Sequence, residues 1–321
     1  ASHVVFRKCN TGIENSFGTM KLTAATFIDT AFPGQISVQA VFDHSDTTFS
    51  GTGFKGWNYA GDVRDEVHLK SRDGEYYVFG LRVIQGGSLY FNFGTTAYIQ
   101  DGFPIQVFAH GNLFISGTEL SPVTIYGNGD CPLKMPAISA ASQSTVTITH
   151  ANFHDLCTGI DATNVTIDIG NSVFKNISGT AIKLKEEGDI TVTHTDISGS
   201  GIAIELDGPT IQNISQNHFH GNAVGVSLKD TYTAAIIKNN GWGSDSGPTI
   251  ADNPDGTGDS IVLDTVPEVI YRPWLEMEDE QPPVDTPTDP ADEPPVAAEP
   301  GDHDPIIIVP GITGSILNKD Y

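Results

Sequence analysis

One repeat governs this chain. Gly159-Ile160-Asp161-Ala162 returns as Ala181-Ile182-Lys183-Leu184, Ala203-Ile204-Glu205-Leu206 and Gly225-Val226-Ser227-Leu228, each step twenty-two residues long. A second column, Phe153, Phe174, Ile197 and Phe219, keeps nearly the same spacing. A fixed period of this size marks a repeat architecture. Inside each repeat the apolar residues alternate in short runs, as in Val146-Thr147-Ile148 or Ile190-Thr191-Val192, the pattern of strand rather than helix. Such runs, broken by Gly, Asn, Asp and Ser, are too short to stand as separate hairpins. They suit the rungs of a coil in which every turn hydrogen-bonds to the next. The expectation is an all-β chain, a parallel β-helix with coils of about 22 residues.

Stacked coils lie about 4.8 Å apart. The register then places Phe153, Phe174, Ile197 and Phe219 inside as a ladder of large side chains, and Gly159, Ala181, Ala203 and Gly225 as a ladder of small ones. Outside, Asp161, Lys183 and Glu205 form a column of alternating sign, which avoids stacking like charges.

Earlier in the chain the rhythm changes. Leu81-Arg82-Val83, Leu89-Tyr90-Phe91, Ala97-Tyr98-Ile99, Ile105-Gln106-Val107 and Leu113-Phe114-Ile115 recur every eight residues, with Val123-Thr124-Ile125 two residues late. Three such strands make a coil of about twenty-four, their outer residues inward and the middle one facing solvent. Gly86-Gly87 and Gly94 sit where the coil must turn with positive φ. Phe6, Phe27 and Phe49 keep a similar spacing, so the chain opens in mid-coil and reads as a piece of a longer protein. Its bare first coil invites end-to-end stacking of chains. The division expected is 1–56 for the last coils of a first β-helix, 57–76 for a connector and 77–240 for a second β-helix, with an end cap over 241–275.

From Glu276 to Asp304 there are eleven acids, seven prolines and no Lys or Arg, the composition of an extended, self-repelling linker. The whole chain carries −24, which argues against nucleic acid and anionic membranes as partners. No apolar run reaches the roughly 20 residues that cross a bilayer. Three cysteines make no full disulfide framework; a Cys131–Cys157 pair is one reading, and three buried thiols the preferred one. Charge, polar strands and few cysteines fit an extracellular or cell-surface bacterial protein, although no signal peptide opens the sequence.

Asn239-Asn240-Gly241-Trp242-Gly243, Ser246-Gly247-Pro248, Asn253-Pro254, Gly256-Thr257-Gly258-Asp259 and Tyr271-Arg272-Pro273-Trp274-Leu275 resemble the end segment of bacterial right-handed parallel β-helix repeat proteins of the pectate-lyase-like kind. That resemblance implies a right-handed solenoid whose last coil is covered by Trp242, Pro273 and Trp274. The family usually carries a second tryptophan where Gly241 stands, so looser packing is expected there. At the other end of the linker, Asp304-Pro305-Ile306-Ile307-Ile308-Val309 followed by Pro310-Gly311-Ile312-Thr313-Gly314-Ser315 resembles the opening of lipase- and acyltransferase-type α/β-hydrolases. The resemblance implies that 305–321 begins such a domain, with Ile312 at an oxyanion-hole backbone position beside Pro310 and Gly311. No G-x-S-x-G elbow follows, so this chain holds no complete catalytic set.

The β-helix offers few groups for chemistry. Asp161 and Glu205 would stand two coils apart, about 9.6 Å, within reach of hydrolytic geometry. Lys183 between them would keep both ionised, so a surface salt ladder is expected. Val41-Phe42-Asp43-His44 faintly resembles a pectate-lyase signature, and Arg272-Pro273 lacks the second arginine that should accompany it. His218 and His220 flank Phe219, with Asp196 one coil away, and read as solvated. No cofactor is expected; calcium at Asp252, Asp255 and Asp259 is the nearest candidate. The first functional expectation is a non-catalytic scaffold or stalk linked to its own downstream hydrolase domain. The alternatives are a wall that binds polysaccharide or cell-surface glycan through Tyr90, Tyr98 and Phe114, and a polysaccharide lyase or hydrolase.

Overall fold

A computed structural model describes residues 1–276, apart from 52–54, 72–74, 231–234 and 266–267 and single positions 101, 128, 130, 132 and 209. The linker from 277 onward and the hydrolase-like opening at 305–321, with Pro310, Gly311 and Ile312, lie outside the described residues.

Every named strand pairing within the coils is parallel, and the register is the one the repeat dictates. Phe153 pairs with Phe174, Phe174 with Ile197, and Ile197 with Phe219; Ile160, Ile182, Ile204 and Val226 do the same on a second wall. Phe153, Phe174, Ile197 and Phe219 are fully buried, and the Phe153 and Phe174 rings stack 4.5 Å apart at 4°. Each such ring contributes about 1.5–3 kcal/mol by burial. A third wall runs from Glu66–Leu69 through Ser88–Asn92 to Thr210–Ser215.

The corners explain how so short a strand can turn. His150, Asn171, His194, Gln216 and Asn239 all adopt the left-handed conformation at one corner, and Asn164, Glu186 and Asp230 at another. One residue of this kind turns the chain from one wall to the next without a long loop, and among residues other than Gly, Asn and Asp accept that backbone most readily. Beside the first corner runs a buried polar ladder. Asn217 Oδ1 accepts from Thr195 N at 3.0 Å, Asn240 Oδ1 accepts from Asn217 N at 3.0 Å, and Asn240 Nδ2 donates to Ile214 O. These amides satisfy backbone groups that the corner leaves out of the strand ladder.

The expected connector does not exist as such. Gly56–Val63, which takes up the start of 57–76, is a strand that pairs with Phe32–Ser37 on one side and with Glu75–Val83 on the other. Trp57 is buried at the centre of the lower coils, against Phe27, Phe42 and Phe49 at 4.8–5.6 Å. The repeat is obscured because Glu75–Val83 is a double-length strand, bent near Gly80, that supplies two upper walls at once. Two lower sheets, Val5–Arg7 with Thr26–Ile28 and Thr48–Ser50, and Thr19–Thr23 with Val41–Ser45, end at this seam.

The cysteines also correct the preferred reading. Cys131 and Cys157 form a disulfide with Cα atoms 5.4 Å apart, and Cys9 is free and half-buried. The coil between Ile105 and its partner Ile138 is 33 residues long, and the extra length carries Cys131 out to Cys157.

Candidate functional site

The outward aromatics form two columns on two walls. His68, Tyr90 and Phe114 stack at 4.4 and 4.6 Å, nearly parallel. Tyr77, Tyr98, Tyr126 and His154 stack at 5.1, 5.2 and 5.5 Å. Tyr98 is therefore on a different wall from Tyr90 and Phe114, and the three do not converge. Both faces of Tyr90 are covered by rings, as are both faces of Tyr98. A pyranose stacks on a ring face, so neither tyrosine is a free platform; each presents its edge and hydroxyl. Burial holds the His154 pKa below the ordinary histidine value, against the Asp155 charge, with Lys175 adding to the lowering.

The charge column is not a surface ladder. Glu205 is 4 % exposed, and its Oε1 accepts from Lys183 Nζ and Lys229 Nζ, both at 2.8 Å. Asp161 turns instead to Lys185, at 2.8 Å. Burial raises the Glu205 pKa, but the hydrogen bonds and positive charges of Lys183 and Lys229 together outweigh it and hold the carboxyl below its usual value. A carboxylate kept ionised by two ammonium groups cannot serve as a general acid.

A cleft of about 600 Å³ opens at the seam, where Val41–Ser45 and Glu66–Leu69 are unpaired with one another. Val41, Phe42, Asp62, Arg64, His68 and Tyr76 are among its lining. Several of its charged groups are engaged with one another: Asp62 meets Arg64 at 2.9 Å and Arg82 at 2.6 Å, and Glu66 meets His68 at 2.5 Å. The pectate-lyase-like tetrapeptide is spent on packing. His44 is buried 4.8 Å from the Trp57 ring and 5.1 Å from Phe42, while exposed Asp43 pairs with Lys21 at 3.7 Å.

The cap residues close the last coils. Trp242 is fully buried and lies 5.0 Å from Phe219, so it extends the phenylalanine ladder by one step. Trp274 stacks with Tyr271 at 6.2 Å and donates Nε1–H to Asp245 O at 3.1 Å, and the Arg272 guanidinium covers both rings. The carbonyl of Pro273, which follows a cis peptide bond, accepts from Asn239 N. Gly241 leaves no slack: a Cβ there would lie 3.1 Å from the His218 ring, which fills the position.

The three cap aspartates serve different partners. Asp252 accepts from Tyr271 Oη at 2.9 Å, Asp259 accepts from Asn222 N and Nδ2 at 3.2 and 2.7 Å, and Asp255 is exposed. Among the described residues no three His, Cys, Asp or Glu side chains gather as metal ligands. His220 is not simply solvated, because it pairs with Asp196 at 3.2 Å. Sequence reasoning missed the Asn217–Asn240 ladder and the seam cleft. The ladder was findable as a polar column one residue beyond the Asn, His and Gln of the corner.

Residues 136–247 match a family model described as right handed beta helix region. No curated protein and no solved structure matches the chain. Strand register and family match together make residues 136–247 part of a right-handed parallel β-helix, an all-β solenoid of about ten turns with coils of about 22 residues.

Proposed function

We propose that the described coils are a non-catalytic scaffold of a secreted or surface-displayed protein, joined through the acidic 276–304 segment to a lipase-like hydrolase domain beginning near residue 305. The observation that carries this reading is the fate of Glu205. The most deeply buried carboxylate on the outer walls is neutralised by Lys183 and Lys229, and of the cleft acids Asp62 is paired with Arg64 and Arg82 and Glu66 with His68. Glycoside hydrolysis needs two unencumbered carboxyl groups, one able to hold a proton at working pH. Glu205, Asp62 and Glu66, each tied to a basic partner, do not meet that requirement.

The test is incubation of the chain with neutral and acidic polysaccharides, followed by assays for new reducing ends and for unsaturated uronides. No product is expected from either. Product formed by the wild-type chain and lost in Glu205→Gln or His68→Ala would overturn the reading. Fractionation of source cells, probed with an antibody raised against these coils, should place the protein that carries them outside the cytoplasm.

A further inference from the structure

The outer face of the wall that crosses the seam carries a second pocket, of about 400 Å³. Its floor is one column of the register. Glu14 pairs with Gln35, and Gln35 pairs with Asn58. Phe32 and Phe79 line it as well, edge to face at 6.4 Å and 82°. Ser16 and Ser37 add hydroxyls at the rim, Ser16 Oγ donating to Glu14 Oε1 at 3.3 Å.

Asn58 is the informative residue. It is only 5 % exposed, it lines the pocket, and its buried Oδ1 has no hydrogen-bond partner. Leaving a buried amide oxygen unsatisfied costs about 1–3 kcal/mol, a cost that a ligand hydroxyl reaching Asn58 from the pocket would relieve. A hydroxyl both donates and accepts, and satisfies the amide whichever way it is turned. The rings of Phe32 and Phe79 supply the apolar side that the C–H face of a sugar seeks. No Lys or Arg lines the pocket among the described residues, and Glu14 does, so an acidic sugar is disfavoured by charge.

We propose that this pocket binds a neutral saccharide unit, with Asn58 and Gln35 as hydrogen-bonding amides, Phe32 and Phe79 as the apolar wall, and Glu14 as the group that excludes uronates. The site is separate from the Tyr90 and Phe114 column and involves no bond making or breaking.

The test is saturation-transfer NMR and titration calorimetry on the full chain, with the methyl glycosides of glucose, galactose, mannose and N-acetylglucosamine as probes and galacturonate as the acidic counterpart. At least one neutral glycoside is expected to bind, and galacturonate at least ten-fold more weakly. Asn58→Ala and Phe79→Ala should each weaken binding five-fold or more, while Phe114→Ser leaves it unchanged. Gln35→Ala, at an exposed position, should weaken binding as well and keeps the test open if Asn58→Ala fails to fold. Absence of transfer from every neutral glycoside, equal binding of galacturonate, or affinity indifferent to Phe79 and Gln35 would each overturn the proposal.

Discussion

Lys183 Nζ lies 2.8 Å from Glu205 Oε1 across one coil, and Lys229 Nζ reaches the same oxygen at 2.8 Å from the next coil. Three consecutive rungs are thus tied through one oxygen atom. Because Glu205 is buried, removing either lysine leaves its carboxylate partly unpaired. Lys183→Met is expected to cost about 1–3 kcal/mol, as for a lost hydrogen bond to a charged group, read as a lower urea midpoint at pH 7.

The same pair sets an acid limit. Glu205 titrates below its ordinary 4.5 in the folded chain, so its stabilisation is present above that value and disappears as pH falls through the folded pKa. Melting curves from pH 7 to pH 3 should show a loss of stability that Glu205→Gln makes shallower. Parallel curves for the two proteins would contradict the assignment.

Asp259 behaves in the opposite sense. Burial raises its pKa above 3.8, against the hydrogen bonds from Asn222, so the ionised form is less favourable folded than unfolded. Its penalty is present at neutral pH and relieved as pH falls through the folded value. Asp259→Asn keeps an acceptor for Asn222 N and continues the kind of ladder seen at Asn217 and Asn240. A gain of about 0.5–1 kcal/mol at pH 7 is expected, shrinking in acid, as measured by melting temperature.

The Cys131–Cys157 bond makes a countable prediction. Thiol titration in denaturant without reductant should find one thiol, Cys9, of the three cysteines. Reduction frees the long coil that carries Cys131, and faster proteolytic nicking within 127–135 should follow. Three titratable thiols would show that the bond does not form.

The phenylalanine ladder runs through the buried core. Phe174→Ala removes a fully buried ring stacked on Phe153 and should cost about 3–5 kcal/mol. Phe114→Ser on the outer stack should cost far less, within about 1 kcal/mol, and the contrast is readable in one denaturant series.

Where the period was unbroken, the register could be read directly: Phe153 upon Phe174 and Ile182 upon Ile204 follow from spacing alone, since one residue of slip would turn every apolar side chain outward. Around Trp57 the period fails, because a double-length strand feeds two walls, and length along the chain no longer equals one turn. The connector reading arose there. The candidate site was less legible still. Tyr90 and Tyr98 share the outward slot of neighbouring triplets, yet which ring covers which face depends on what stands one coil above and below.

The sequence by itself determined the class of fold and the inside and outside of each strand, because both are properties of a repeat measured along one chain. Tertiary structure alone decided that Glu205 is buried between two lysines, that Cys131 reaches Cys157, that two sheets end at a seam, and that Asn58 faces a pocket with nothing to accept from. Each of these depends on distances between separate coils, which local periodicity does not encode.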